Sequence, residues 1–158
     1  MATATFESQE VATFWRYLES SLDHLIELAA SLDPEAIHWK PPAPETNSIA
    51  VMTTHTLGNV RENMLEVLCG EAVHRDREAE FADRAVTAET LAAQWADLRM
   101  RLVAALAAVP AGELDRRRTH PRRGELDGRE VLIVVTRHAA EHLGQAELTR
   151  DLWAASRR

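Results

Sequence analysis

Residues 127–153, DGREVLIVVTRHAAEHLGQAELTRDLW, carry the pattern of one long amphipathic helix. Asp127 and Glu130 fit a D-x-x-E capping box, which predicts that the helix begins there. The β-branched run LIVV at 132–135 lies inside this longer helical period and therefore does not predict a strand. The predicted helix runs through Val131, Val135, His138, His142, Leu148 and Leu152.

Three other stretches repeat their apolar residues with a helical period, at about residues 7–31, 47–69 and 87–109. Asn47 or Ser48 is a good N-cap for the second of these helices, and Gly70 is a plausible residue just past its end. Four long amphipathic helices predict an all-α fold, a four-helix bundle with long connections. The length of 158 residues predicts a single domain over residues 1–158.

The connections between the predicted helices differ in composition. Three prolines in HWKPPAPETN, residues 38–47, exclude a helix interior and favour an extended path. Residues 71–85 are charged and weakly periodic, which predicts a loop with at most a short helical turn. Residues 113–130, ELDRRRTHPRRGELDGRE, predict another long connection.

Composition narrows the function classes. The formal net charge of −7 argues against a nucleic-acid binder or a protein of anionic membranes. The single cysteine, Cys69, excludes an internal disulfide framework and a CxxC zinc site. Residues 1–14 lack the basic and apolar regions of a secretory signal, and no apolar run approaches the ~18 residues that span a bilayer. A cytoplasmic location is therefore expected.

A possible metal site lies on the last helix. His138 and His142 are four residues apart, so their side chains share one face of the helix one turn apart. Both rings continue the apolar stripe of Val131 and Val135 and are expected to point inward. Two imidazoles in this arrangement can bind a single metal ion.

A tight site needs a third ligand from a facing helix. His55 is the best candidate, because it lies mid-helix close to the apolar stripe set by Met52. Gly58 follows it and would allow a neighbouring backbone to approach closely. Three imidazoles suit a divalent ion such as zinc, nickel, copper or iron, and they leave a position for water or a thiolate.

A metal-bound imidazole usually donates its second N–H to a carboxylate, an amide or a carbonyl. A side chain seven residues further along a helix returns to nearly the same face. Gln145 stands in this relation to His138, and Glu62 stands so to His55. Asn59 lies one turn beyond His55. These three residues are the candidates for supporting the ligands.

The remaining histidines and arginines have plainer interpretations. His24, His38, His74 and His120 lie in loops or near helix ends, where we expect polar surface. The run RRRTHPRR, residues 116–123, holds five arginines. The simplest interpretation is a solvated loop whose positive charge balances that of nearby carboxylates. An anion clamp near the mouth of the site, or a nucleic-acid patch, is the alternative.

Three motifs in order resemble the DinB-like superfamily of metalloenzymes: NSIAVMTTHTLGNVRENMLEVLCG at 47–70, HRDREAEF at 74–81 and HAAEHLGQAEL at 138–148. The resemblance covers nearly the whole chain. It implies an up-down four-helix bundle that is often dimeric. It also implies a divalent ion, commonly zinc or nickel, bound by His55, His138 and His142. Relatives include transferases and isomerases that use a low-molecular-weight thiol: bacillithiol, mycothiol or glutathione.

These observations leave three functions open. The first is a metal-dependent transferase or hydrolase that acts on a small-molecule substrate, with the catalytic residues unknown. The second is a non-catalytic metal- or ligand-binding homodimer, whose site would lack a polar pocket beside the ion. The third follows from the match of HAAEH to the H-x-x-E-H pattern of zinc peptidases, in which Glu141 would be the base.

Overall fold

Four long helices form the framework of the protein, as the apolar periodicity predicted. The computed structural model describes residues 5–82 and 85–158. The long helices are α1 Gln9–Ala30, α3 Ile49–Val60 with its continuation Arg61–Leu68, α5 Ala88–Ala107 and α6 Gly128–Ser156. Residues 1–4, part of the stretch searched for a signal, lie outside the described residues, as do Asp83 and Arg84 of the charged connection.

The start of each long helix is set by a polar N-cap. Ser8, Ser48, Thr87 and Asp127 each accept a hydrogen bond from a backbone N–H three residues further on, which satisfies one of the free donors of the first turn. The predicted capping box is confirmed, since the Glu130 side chain also accepts the Asp127 backbone N–H at 2.8 Å.

The four helices pack around one apolar core, with α1 against α5 and α6 and with α3 against α6. Burial of these apolar side chains is the main favourable contribution to folding. The large side chains that are fully buried include Leu18, Leu22 and Leu25 of α1, Leu91, Leu102 and Leu106 of α5, and Leu132 of α6. No helix in the described part of the chain is long and apolar enough to cross a membrane.

The second long helix changes its winding halfway. From Arg61 to Leu68 it is a π-helix, and the Cys69 N–H donates to the Met64 carbonyl five residues earlier. It ends as predicted at Gly70, whose φ of +74° lies in the left-handed region that glycine tolerates. The α-helical period therefore does not apply beyond Val60.

Two short helices lie in the connections. The first long helix ends at Ala30, and Pro34 begins α2, Pro34–His38, because Asp33 caps the Ala36 N–H. The charged segment contains α4, Arg77–Ala82, which is the predicted short helical turn.

The connection before α6 is more ordered than predicted. After a 3₁₀ turn at Ala111–Asp115, strands β1 Arg117–His120 and β2 Gly124–Asp127 pair as an antiparallel hairpin. A three-residue turn joins them, and Gly124 closes it with a φ of +76°. The strands RRTH and GELD contain a single β-branched residue, Thr119, so little in the sequence indicates a strand here. The LIVV run is helical, as predicted.

Candidate metal centre

Three histidines from two helices meet inside the bundle. His55 comes from the middle of α3, and His138 and His142 come from successive turns of α6. One ligand atom from each ring lies within 4.8 Å of the other two. The ring centroids are 5.1 Å apart for His55 and His138, 5.4 Å for His55 and His142, and 4.4 Å for His138 and His142. His55 is buried and the other two are half-buried.

In His55 and His142, hydrogen bonds determine which ring nitrogen is available to coordinate a metal ion. His55 Nδ1 lies 2.9 Å from Glu80 Oε2, and His142 Nδ1 lies 2.8 Å from Gln145 Oε1. A carboxylate and an amide oxygen only accept, so both Nδ1 atoms carry the proton. The lone pair of each ring is therefore on Nε2, which is the form that binds a metal ion.

The third ring provides a test of whether a metal ion fits. His138 Nε2 lies 3.2 Å from His55 Nε2. Two imidazole ligands of one tetrahedral ion, each with a bond of 2.0–2.1 Å, have nitrogens about 3.3 Å apart. The same spacing also allows a hydrogen bond between the rings. Burial, together with the neighbouring His142 and His55, lowers the pKa of His138 to about 3, so this ring is neutral at physiological pH. The donor set and the spacing both fit a divalent ion.

An ion-pair network extends behind His55. Arg75 donates from Nε to Glu80 Oε1 at 2.7 Å and from Nη1 to Glu62 Oε2 at 3.1 Å. The three side chains are 3–8% exposed, so their charges are almost fully buried. Burial raises the pKa of Glu80, but its bonds to Arg75 and His55 outweigh burial and bring the pKa below its ordinary value. Glu80 therefore stays charged and holds His55.

Gly58 makes room for this network. A Cβ at Gly58 would overlap Oε1 of Glu80 and would lie 2.8 Å from its carboxyl carbon. The sequence predicted that a backbone approaches this glycine; the group that approaches is the Glu80 side chain. Phe81, the next residue of α4, packs its ring 4.8 Å from that of His55. Helix α4 thus covers and orients His55.

The hairpin turn joins the network from the other side. Arg122 donates from Nη1 to Glu62 Oε1 at 2.9 Å, and its Nη2 also contacts Glu62. His120 is only 3% exposed and accepts the Arg122 N–H at 3.0 Å. Its buried Nε2 has no hydrogen-bond partner among the described residues and lies 4.0 Å from Glu62 Oε2. The expectation of a surface His120 was wrong, because the hairpin folds this side chain inward. His24 and His74 are exposed, as expected.

A family model of the DinB superfamily matches residues 17–146. The chain belongs to the DinB superfamily. A DinB-like protein from Bacillus cereus ATCC 10987 has a similar structure, with a TM-score of 0.70, 14% identity and 95% of each chain covered. A conserved protein from Enterococcus faecalis gives a TM-score of 0.64 at 18% identity, covering 92% of this chain and 97% of that one. These likenesses show the fold alone. No curated protein matches the chain.

Two of the supporting residues in this DinB superfamily member have partners other than those predicted. Gln145 hydrogen-bonds His142, three residues away, and not His138, because its long side chain reaches back over one turn. Glu62 binds Arg75 and Arg122, and not His55, because the Arg75 guanidinium lies against both residues and pairs with the carboxylate. Asn59 is buried beside the histidines, and its Oδ1 has no partner among the described residues.

Other candidate groups of this superfamily member lie away from the three histidines. The Glu141 side chain is 53% exposed and pairs with Arg137 at 3.5 Å. Among the residues that the structure describes, no carboxylate joins the group of three possible ligands. The arrangement therefore does not support the peptidase interpretation. Burial raises the pKa of the Cys69 thiol to about 11, which agrees with an inert cysteine.

The network residues Arg75 and Glu80 were not predicted as part of the site. Both lie in HRDREAEF, which carried part of the DinB-like resemblance, but no periodicity relates them to the histidines. The separation of 25 residues between His55 and Glu80 is bridged only by the tertiary fold.

The metal-free protein is expected to lose stability as the pH falls from about 7.5 to about 5. Histidine in the unfolded chain titrates near 6.5, whereas burial lowers the pKa of His138 to about 3 and also lowers that of His142. Between these pKa values the unfolded state binds more protons than the folded state. The free energy of unfolding therefore decreases as the pH is lowered. Urea denaturation of the metal-free protein at both pH values measures this. A protein equally stable at both would contradict it, and the His138→Ala, His142→Ala variant should show a weaker dependence.

Proposed function

We propose that the protein is an enzyme that binds one divalent ion, zinc or nickel, through His55, His138 and His142. It uses the ion in a transferase or hydrolase reaction on a small-molecule substrate. The observation that carries this proposal is the convergence of three imidazoles, two of which have their Nδ1 atoms occupied by Glu80 and Gln145. DinB superfamily membership supports it independently.

The chemistry of the site follows from what each part can contribute. A divalent ion at three neutral imidazoles acts as a Lewis acid and favours the deprotonated form of water or of a low-molecular-weight thiol. The chain itself orients the ligands: Glu80 holds His55 by its Nδ1–H, and Gln145 holds His142 in the same way. No described side chain is assigned to proton transfer.

A polar cavity beside the histidines favours an enzyme over a non-catalytic binder. It has a volume of about 310 Å³, and both His55 and His138 contribute to its wall. A metal-binding dimer without catalysis has no need of such a space. A substrate in this cavity would lie directly against the ligand-bearing rings, which is the geometry that catalysis at a metal ion requires.

Elemental analysis of protein purified without a His-tag tests the proposal. The wild-type chain should carry about one zinc or nickel ion, and a His138→Ala, His142→Ala variant should carry almost none, because one remaining imidazole binds weakly. The matched control is His24→Ala, His74→Ala, which removes two exposed histidines and should keep the ion. Equal metal content in the wild type and the His138, His142 variant would overturn the proposed ligands. Turnover with bacillithiol, mycothiol or glutathione as co-substrate would then separate a transferase from a hydrolase.

A further inference from the structure

Four arginines surround the cavity beside the histidines. The space of about 310 Å³ is at the lower end of the range for small-molecule sites, about 300–1,000 Å³. The guanidinium groups belong to Arg75, Arg77, Arg122 and Arg123. Arg77 is the first residue of α4, Arg75 lies two residues before it, and the other two come from the turn of the hairpin. No carboxylate is part of the lining. The cavity is therefore strongly cationic in a chain whose net charge is −7.

Two of these four charges are already used inside the protein. Arg75 is bound to Glu62 and Glu80, and Arg122 is bound to Glu62. The other two are not: Arg77 places its guanidinium 4.9 Å from the ring of Phe81, and neither it nor Arg123 has a carboxylate partner within residues 5–82 and 85–158. Arg77 and Arg123 are thus free to bind an anion from outside the chain.

A buried polar atom in the same wall also lacks a partner. Asn59 is 5% exposed, lines the cavity, and leaves its Oδ1 without a hydrogen bond among the described residues. Buried polar side chains of native proteins are nearly always hydrogen-bonded to protein, water or ligand. An amide oxygen accepts, so this atom needs a hydrogen-bond donor such as water or a hydroxyl group of a ligand, and it marks the cavity as a polar space.

We propose that this cavity binds a small organic molecule with a carboxylate group, which Arg77 and Arg123 hold beside the metal site. A guanidinium presents its N–H donors in a planar fork that matches the oxygens of a carboxylate and also those of a phosphate, so the experiment compares the two anions directly. The proposal rests on the proposed function, since the metal site is what makes the neighbouring cavity a substrate site. It selects a carboxylate-bearing substrate and places the anion between Arg77 of α4 and Arg123 of the arginine run.

Isothermal titration calorimetry with succinate tests this binding. The metal-free protein is used so that a metal ion cannot coordinate the anion directly. The chelator, itself an anion, is removed by dialysis first. Succinate should bind at low ionic strength and weaken as salt is added, whereas neutral succinamide should not bind. Arg77→Gln and Arg123→Gln should each weaken succinate binding about tenfold or more, as expected for loss of one charge-assisted pair. Arg116→Gln, an arginine of the same run that is 71% exposed and outside the cavity, should leave it unchanged.

Three results would overturn the inference: no binding of succinate to the wild type, equal weakening by Arg116→Gln, or tighter binding of inorganic phosphate than of succinate. Failure here is distinct from failure of the proposed function. A protein that retains metal through its histidines but does not bind succinate contradicts only the carboxylate site. A protein that binds succinate through Arg123 but carries no metal contradicts only the metalloenzyme.

Discussion

Replacing Arg75 by methionine is expected to lower the free energy of unfolding by about 3–5 kcal/mol near pH 7, the range for removing one partner of a buried ion pair. Arg75 is 3% exposed and is bound to two carboxylates, Glu62 and Glu80, that are themselves almost fully buried. Without the guanidinium, both charges keep their desolvation cost and lose most of their compensation. Urea denaturation of the wild type and the variant measures the difference.

The pH dependence of this loss separates charge from packing. Ion pairing brings the pKa values of Glu62 and Glu80 below their ordinary value of 4.5, so the stability that Arg75 contributes is present above that value and is lost as the carboxylates protonate. The gap between wild type and variant should therefore narrow below about pH 4.5. Arg99→Met is the matched control: Arg99 is 45% exposed, its pair with Glu19 lies at the surface, and its loss should cost less than about 1 kcal/mol. Equal costs for the two variants would show that burial of the network contributes little.

Gly58→Ala is expected to lower the affinity for the metal ion about 10–100-fold, the usual effect of removing a group that orients a ligand. The added methyl would overlap Glu80 Oε1, so the carboxylate must move and His55 Nδ1–H loses its acceptor. Alanine favours the α-helix over glycine by about 1 kcal/mol, so the change does not weaken α3 itself. Competition with a chromophoric chelator measures the affinity.

Gly144→Ala is the matched control for this prediction. Gly144 lies on α6 between His142 and Gln145, yet a Cβ there would meet no atom within 4 Å. The two variants make the same substitution on two ligand-bearing helices, and only one displaces a carboxylate. An unchanged affinity in Gly58→Ala, or an equal loss in both, would mean that Glu80 does not support the metal ligand.

Local sequence patterns predicted the parts of this protein that depend on local structure. The helical period and polar caps such as Ser48 and Asp127 located the long helices to within a few residues. The spacing of four placed His138 and His142 on one face, and the apolar stripe brought His55 to the same region. Each of these features depends on a few residues that are close in sequence. They can therefore be predicted before any tertiary contact is known.

The remaining features depend on contacts between distant segments. Glu80 reaches His55 from a short helix in a charged connection, which no helical repeat predicts. Glu62 pairs with Arg75 and Arg122, which come from two connections, and nothing in the apolar period indicates these partners. The hairpin forms from two four-residue strands in which only Thr119 favours a strand, so the inward turn of His120 was not predicted.

The walls and the floor of the cavity have separate origins in the chain. Its ligand-bearing floor is built on the bundle helices α3 and α6, whereas Arg77, Arg122 and Arg123 belong to two connections between helices. Arg77 and Arg123 can be exchanged without changing a residue of the apolar core. A library of variants confined to residues 77 and 123 would thus change which ligand the cavity selects, while the scaffold and its three imidazoles stay constant. This chain is therefore a convenient starting point for directed evolution of new selectivity.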